Sequence, residues 1–426
     1  MKIKSLILGS VAAAGLSTAP LAAGIETVLT SLDVCDAQGI SGLTLSSADN
    51  CLQISGGVST QFKWGDYGGS QIIVNNFARN GANATIPDND GVAPSELDWD
   101  SDVDAWLKFV GTADSAWGPA SATIKLYYDY DAAVRNEGPV AITGGNVGVK
   151  EAFVTVGDTT RLMAGRKGSI ANFKNDEPLN WLGLFNSDNV NKGVGFSVAL
   201  PTGGNVIQVE SDLGNGVSVA GGLENLNGTT AQAGTAIGVL AYAGNGVDAN
   251  VTVLAGGVLD GVIENWAIQA GMKAELDMIT LVGAIAADSA GFWNVLGSAE
   301  LNYDMFTLAA SAEATSGNEI GFGVSAGAEV STGVTINAGF RWFDTNTTVA
   351  NDEGYQAAVQ LVADVTETVT VTGEVGLYGT TAPTSTAYGA GTLAWAPGGG
   401  FTSSVKGEFY ADGAYSLTFK AAKDFE

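Results

Sequence analysis

Histidine is missing from this chain altogether, and cysteine occurs twice in 426 residues. Without imidazole there is no Ser-His-Asp triad, and zinc loses its usual donor set. Basic residues are scarce: 18 Lys and Arg stand against 45 Asp and Glu, a formal net charge of −27. That balance argues against nucleic acid and anionic lipid headgroups as partners, and it favours cations. Scattered carboxylate pairs are expected in so acidic a chain, so they do not mark a glycosidase, and no enzyme is expected. Proline is rare (9) and glycine abundant (59), which suits many turns and closely packed strands. Nowhere do about 18 apolar residues run together, which excludes a helical membrane protein.

What is present begins with Lys2 and Lys4, an apolar run from Leu6 to Ala14, and the small residues Ala22-Ala23-Gly24. This reads as a secretory signal peptide over residues 1–24, so the rest of the chain is expected to be exported. Residues 25–51 follow as a separate N-terminal segment holding both cysteines. In an oxidising compartment Cys35 and Cys51 are expected to form a disulfide. Closing a loop of about 15 residues would stabilise by roughly 3 kcal/mol in the chain-entropy account.

From Leu52 to the end the pattern has a period of two. Leu52, Ile54, Val58, Phe62 and Trp64 share one face, while Gln53, Ser55, Ser59, Gln61 and Lys63 share the other. Such a strand separates two different surroundings. The pattern recurs at Trp266–Asp277, Val334–Trp342, Tyr355–Val365 and Tyr415–Phe425. Tight turns are read at Gly157-Asp158, Pro201–Asn205, Gly244–Gly246, Asp277, Asp304, Ser331–Gly333, Thr366-Glu367 and Pro397–Gly400. Longer polar connections alternate with them, at 65–98, 131–147, 168–192 and 344–354. Short turns at one end and longer loops at the other describe a transmembrane antiparallel β-barrel, whose closed wall leaves no strand edge. Trp64, Tyr128, Tyr130, Trp266, Tyr303, Trp342, Tyr355 and Tyr378 fall near strand ends, where interfacial girdles belong. Counting gives about twenty strands, with 205–211 the weakest; an even number from 16 to 20 is expected over 52–426.

One stretch breaks the pattern. Residues 168–192 mix apolar anchors (Ile170, Phe173, Leu179, Trp181, Leu182, Leu184, Phe185) with charges. A connection this long is functional or disordered, and the apolar anchors favour a loop folded into the lumen that narrows the pore. Its Lys174, Asp176, Glu177 and Asp188 are candidates for the constriction.

Two places resemble the general porins of alphaproteobacteria, the group that includes Brucella and Rhizobium outer-membrane porins. The first is VCDAQGISGLTLSSADNCLQISGGV at 34–58, with its Cys35-Asp36-Ala37 and Cys51-Leu52. The second is GVIENWAIQAGMKAEL at 261–276. The resemblance implies a trimeric, water-filled channel with 16 strands per subunit and a third long loop folded inward, here 168–192. This chain departs from that pattern in its higher hairpin count, in Glu426 after Phe425, and in its few basic residues.

Fixed charge on the inward face decides which ions enter a pore. Lys63, Lys108 and Lys125 lie on polar faces and are read as three cations at comparable depth. Arg341, Lys406 and Lys420 add to the far wall. The loop acids facing them would set a transverse field; the plain alternative is that all are solvated lumen residues. Asp98, Asp100, Asp102 and Asp104 share one face of a strand and make either an acidic mouth or a Ca²⁺ site, the one metal the residues suggest. Asp88-Asn89-Asp90-Gly91 lacks the rest of an EF-hand, and Asn227-Gly228-Thr229 is a short glycosylation pattern. No other cofactor is expected. The expected function is passive diffusion of ions and small hydrophilic solutes through the outer membrane of a Gram-negative bacterium, with a preference for cations. Its rivals are a substrate-selective channel, which needs a ladder of inward aromatics, and a secreted adhesin or surface-layer protein with a dry β-core.

Overall fold

The computed structural model describes residues 34–47, 49–66, 98–133, 141–184, 193–227, 233–344, 353–380, 385–411 and 413–426. The expected signal peptide, Asp88–Gly91, Asp188 and the end of the glycosylation pattern lie outside the described residues. The first strands are β1 (Leu43–Ser46), β2 (Asn50–Asp66), β3 (Asp98–Ser115), β4 (Gly118–Ala133), β5 (Ala141–Gly157), β6 (Thr160–Lys167) and β7 (Gly204–Gly214). They continue as β8 (Val217–Glu224), β9 (Thr235–Gly244), β10 (Val247–Gly256), β11 (Asn265–Leu276), β12 (Ile279–Asp288), β13 (Trp293–Tyr303) and β14 (Phe306–Thr315). The last are β15 (Ile320–Ser331), β16 (Val334–Asp344), β17 (Glu353–Thr366), β18 (Val369–Thr380), β19 (Ser385–Gly398), β20 (Phe401–Tyr410) and β21 (Tyr415–Phe425).

From β2 to β21 each strand pairs antiparallel with its neighbour in sequence, and β2 also pairs with β21 from Gly56↔Phe425 to Asp66↔Tyr415. The wall is therefore a closed barrel of twenty strands, at the upper end of the expected range; the sixteen that the resemblance implies are not what the wall has. The doubtful strand is real, as β7. Strand β1 pairs with β2 from Leu43↔Ile54 to Ser46↔Cys51, on the edge that β21 leaves open past Gly56. It continues the line of β21, and Gly42 packs against the backbone of Glu426. The Cys35–Cys51 disulfide fastens the helical turn at 34–37 to the start of β2, so the N-terminal segment seals the seam where the barrel closes.

Two-residue turns join the strands at one end. Asn215-Gly216 and Asn245-Gly246 have positive φ at both residues, the backbone of a type I′ hairpin, which matches the twist of the flanking strands. The sequence reading places a tight turn at Pro201–Asn205 and misses the one at Asn215-Gly216. Proline and glycine punctuate loops at either end of a barrel, so composition alone cannot say which end a turn occupies. In the structure 201–203 enter β7 from the long-loop end.

The alternation sorts the side chains as the sequence predicts. Val253, Ile285 and Val375 point outward, 47%, 50% and 65% exposed. Thr252 and Gln269, at intervening positions, point into the barrel with nearly no exposure. An apolar exterior is what hydrocarbon rather than water requires of the outer face. Aromatics ring both ends: Trp64 with Tyr415, and Phe340 with Tyr355, at the long-loop end, and Trp395 with Phe401 at the turn end. Tyr378 is not among them. It faces the lumen, its ring 4.9 Å from Tyr388, because its position shares the parity of Gln356 and Glu374 rather than that of Leu377.

Candidate functional site

The site is a strap across the inside of the wall. Between β6 and β7 the chain leaves the sheet at Gly168 and does not rejoin it until Gly204, so the irregular segment runs to 203 rather than ending at 192. Its described parts, 168–184 and 193–203, lie along the lumen face. Near its start, Asn172 N–H donates to Thr252 Oγ1, and the Asn172 carbonyl accepts from Asn250 Nδ2 (2.9 Å) and Thr252 Oγ1 (2.6 Å) on β10. Further on, Leu179 N–H donates to Ser298 Oγ on β13 (2.9 Å), and Trp181 N–H to Ser325 Oγ on β15 (3.0 Å). Gly271, Gly323 and Gly339 supply the room, since a side chain at any of them would strike the strap. Among the expected apolar anchors, Ile170 packs with Met163, Ile237 and Leu254, and Leu184, with Leu179 against it, packs with Val282 and Leu296; Phe173 is 40% exposed, and Phe185 lies outside the described residues.

Two carboxylates hold the feet. Glu224, at the end of β8 and wholly buried, accepts Ile170 N–H (2.8 Å) and Gln208 Nε2 (2.8 Å) on Oε1, and Gly203 N–H (2.6 Å) on Oε2. One side chain thus grips both ends of the connection. Asp288, at the end of β12, accepts Ser197 N–H and Oγ–H on Oδ2, each at 2.7 Å, and Ala290 and Phe292 N–H on Oδ1. Charge-assisted bonds to backbone N–H are stronger than neutral ones. Sequence reasoning missed both residues. Each is one acid among 45, and only its parity and its place at the long-loop end of a strand distinguish it.

On the strap, Lys174 and Glu177 are exposed and Asp176 is buried, 7% exposed. Burial raises the Asp176 carboxyl to about 6, helped by the neighbouring Glu177 charge and opposed by the Val194 N–H that donates to it.

The lysines lie on strands away from those the strap bonds to, but not as one group. Lys108 and Lys125 are direct partners across β3 and β4. Lys63 pairs with Asp100, whereas Lys108 faces Ser55. The eight positions between Ser55 and Lys63 amount to about 26 Å along the strand. Lys63 instead joins Lys406, Lys420, Glu408 and Asp100, and Lys406 is paired with Glu408 at 2.7 Å. Lys63 is therefore not at the depth of Lys108 and Lys125, contrary to the expectation of three cations at comparable depth. Arg341 donates from Nε to Gln356 Oε1 at 2.7 Å, with Tyr378, Tyr388 and Glu313 around it. Lys125 sits 4.7 Å from the Trp106 ring centre, Lys150 4.4 Å from that of Tyr127, and Lys167, at the root of the strap, 5.6 Å from that of Phe153; Lys150 was not anticipated.

The aspartate row is lumenal by register on β3 and descends from the long-loop end; the side chain of Asp98 lies outside the description. Carboxylate oxygens of Asp102, Asp104 and, from β4, Asp129 fall within 4.8 Å of one another. Tyr127 donates its hydroxyl to Asp104 Oδ1 at 2.6 Å.

No protein-family model matches the chain, and no characterised protein matches it by sequence. Among solved structures it is similar to an anion-selective porin from Comamonas acidovorans, at 11% identity over 88% of this chain and 100% of that one, with a TM-score of 0.38. It is also similar to a mutant of Rh. blastica porin (11%, 88% and 100%, TM-score 0.38) and to Acinetobacter baumannii OccAB3 (9%, 88% and 99%, TM-score 0.46). Similarity at this level carries no functional argument, so the reading below rests on the chain's own geometry.

Proposed function

We propose that this chain is a porin of a Gram-negative outer membrane, passing ions and small hydrophilic solutes by diffusion. The observation that carries the reading is one closed twenty-strand wall, apolar outside and polar inside, with the described parts of the strap, 168–184 and 193–203, fastened against the lumen. A secreted protein with a dry core would bury the face that here carries Val253, Ile285 and Val375, and would have no use for Gln269 and Thr252 within. Preference for cations is supported by the net charge of −27 and the lumenal aspartates. A transverse field is supported by the strap acids Asp176 and Glu177 belonging to a segment that bonds to β10, β13 and β15, while Lys63, Lys108, Lys125, Lys406 and Lys420 belong to β2–β4 and β20–β21. Assembly as a trimer follows only from the resemblance at 34–58. Liposome swelling tests the reading. Vesicles reconstituted with the folded protein are expected to swell in small sugars and not in large oligosaccharides; swelling no faster than in protein-free vesicles would overturn it.

A further inference from the structure

A cavity of about 660 Å³ lies between the strap and the lumen face of β11 and β12. It sits on the turn side of the strap: the strap crosses β11 at Gly271, and the cavity is walled two residues further on, at Lys273, and by its register partner Val282. Its upper wall is aromatic. Phe173 and Phe196, from the outgoing and returning legs of the strap, meet edge to face with centres 5.7 Å apart, and Leu179 completes the apolar lining. The volume suits a small organic molecule with room for water.

The charges around it are unequal. Lys273 is taken by Glu275 at 2.7 Å, and Lys174 is exposed on the strap. Of the two acids, Glu177 is exposed and Asp176 is buried against the cavity. Asp176 receives only backbone N–H donors and no basic side chain among the described residues. Lys174 and Lys273 also line the cavity, but neither bonds Asp176; a buried carboxylate without an ion-pair partner, next to two ring systems, is complementary to an ammonium group carried on an aromatic body.

We propose that this cavity binds arylalkylamines, with Asp176 as the counter-ion and Phe173 and Phe196 holding the ring. The proposal names a solute class for the pore proposed above and rests on that reading only in placing the cavity on the path of solutes. Occupation would partly obstruct the narrow zone, so such an amine both permeates and slows the current.

Ligand-observed saturation-transfer NMR on the detergent-solubilised folded protein tests binding without relying on conduction. The probes are phenethylamine, 2-phenylethanol and phenylacetate, which share a ring and differ in charge. Saturation transfer is expected for phenethylamine, weakly for the alcohol and not for the acid. Binding is expected to fall at least tenfold in Asp176→Asn and in Phe173→Ala, each first shown to keep the heat-modifiable gel mobility of a folded barrel. Lowering the pH from 7 to 5 leaves the amine charged and should weaken binding to the wild type but not the residual binding of Asp176→Asn. Equal transfer from all three probes, or phenethylamine binding unchanged in folded Asp176→Asn, overturns the proposal. A channel that fails to conduct but still binds the amine sinks the porin reading and leaves the site standing.

Discussion

Replacing Glu224 by Gln changes no volume and removes one negative charge at the point where both feet of the strap are held. Glu224 Oε2 accepts Gly203 N–H at 2.6 Å and Oε1 accepts Ile170 N–H and Gln208 Nε2, all away from water. The amide keeps one acceptor oxygen; its NH2 then confronts at least one of these donors. Losing a hydrogen bond to a charged acceptor costs about 1.5–3 kcal/mol, and leaving a buried donor unsatisfied adds a comparable amount. Taking about 3 kcal/mol as the net loss of docking, the ratio of released to docked feet rises roughly 150-fold. The wall keeps its backbone ladder, so the barrel should still form. Single-channel recordings of Glu224→Gln are expected to show added open-channel noise and excursions to higher conductance. Amides of 169–172 and 203–205 should exchange hydrogen faster. Conductance, noise and exchange all indistinguishable from wild type would refute the view that this carboxylate holds the strap.

Three further outcomes follow from the same geometry. Folding favours the protonated form of Asp176, raised to about 6, so its contribution to docking is fully present below about pH 4 and is lost as pH rises through 6. Conversely, its charge disappears on acidification, and cation preference should fall between pH 7 and 5 in wild type but not in Asp176→Asn, read as the reversal potential in a salt gradient. Changing Asp100, Asp102 and Asp104 together to Asn should bring the reversal potential nearer zero; an unchanged value would remove the row from selectivity. Cys35→Ser should cost roughly 3 kcal/mol at the seam and lower the temperature at which the barrel unfolds on gels, an effect that reductant should reproduce in wild type and not in the variant.

Much of the wall was legible because a two-sided strand must alternate, and a barrel with unlike surroundings writes that alternation into every segment. The inward strap was legible for a related reason: 168–192 loses the period while keeping Ile170, Leu182 and Leu184, which need something to pack against. Its return leg, 193–203, was misread because Gly193-Val194-Gly195-Phe196 imitates a strand pattern. What one sequence does not display is register. Lys63 and Lys108 both lie on polar faces, yet they are separated along the pore because the antiparallel register of β2 and β3 sets Lys63 opposite Asp100 and Lys108 opposite Ser55. The anchors Glu224 and Asp288 were hidden for the complementary reason: most of their partners are backbone N–H groups, which every residue but proline carries.

Single-channel recording in a planar bilayer, with detergent-purified protein under a KCl gradient, tests the central claim most directly. The account predicts discrete conductance steps, grouped in threes, with a reversal potential of the sign that K⁺ selectivity demands. Folded protein that yields no steps, or that leaves the membrane without detergent, would contradict it.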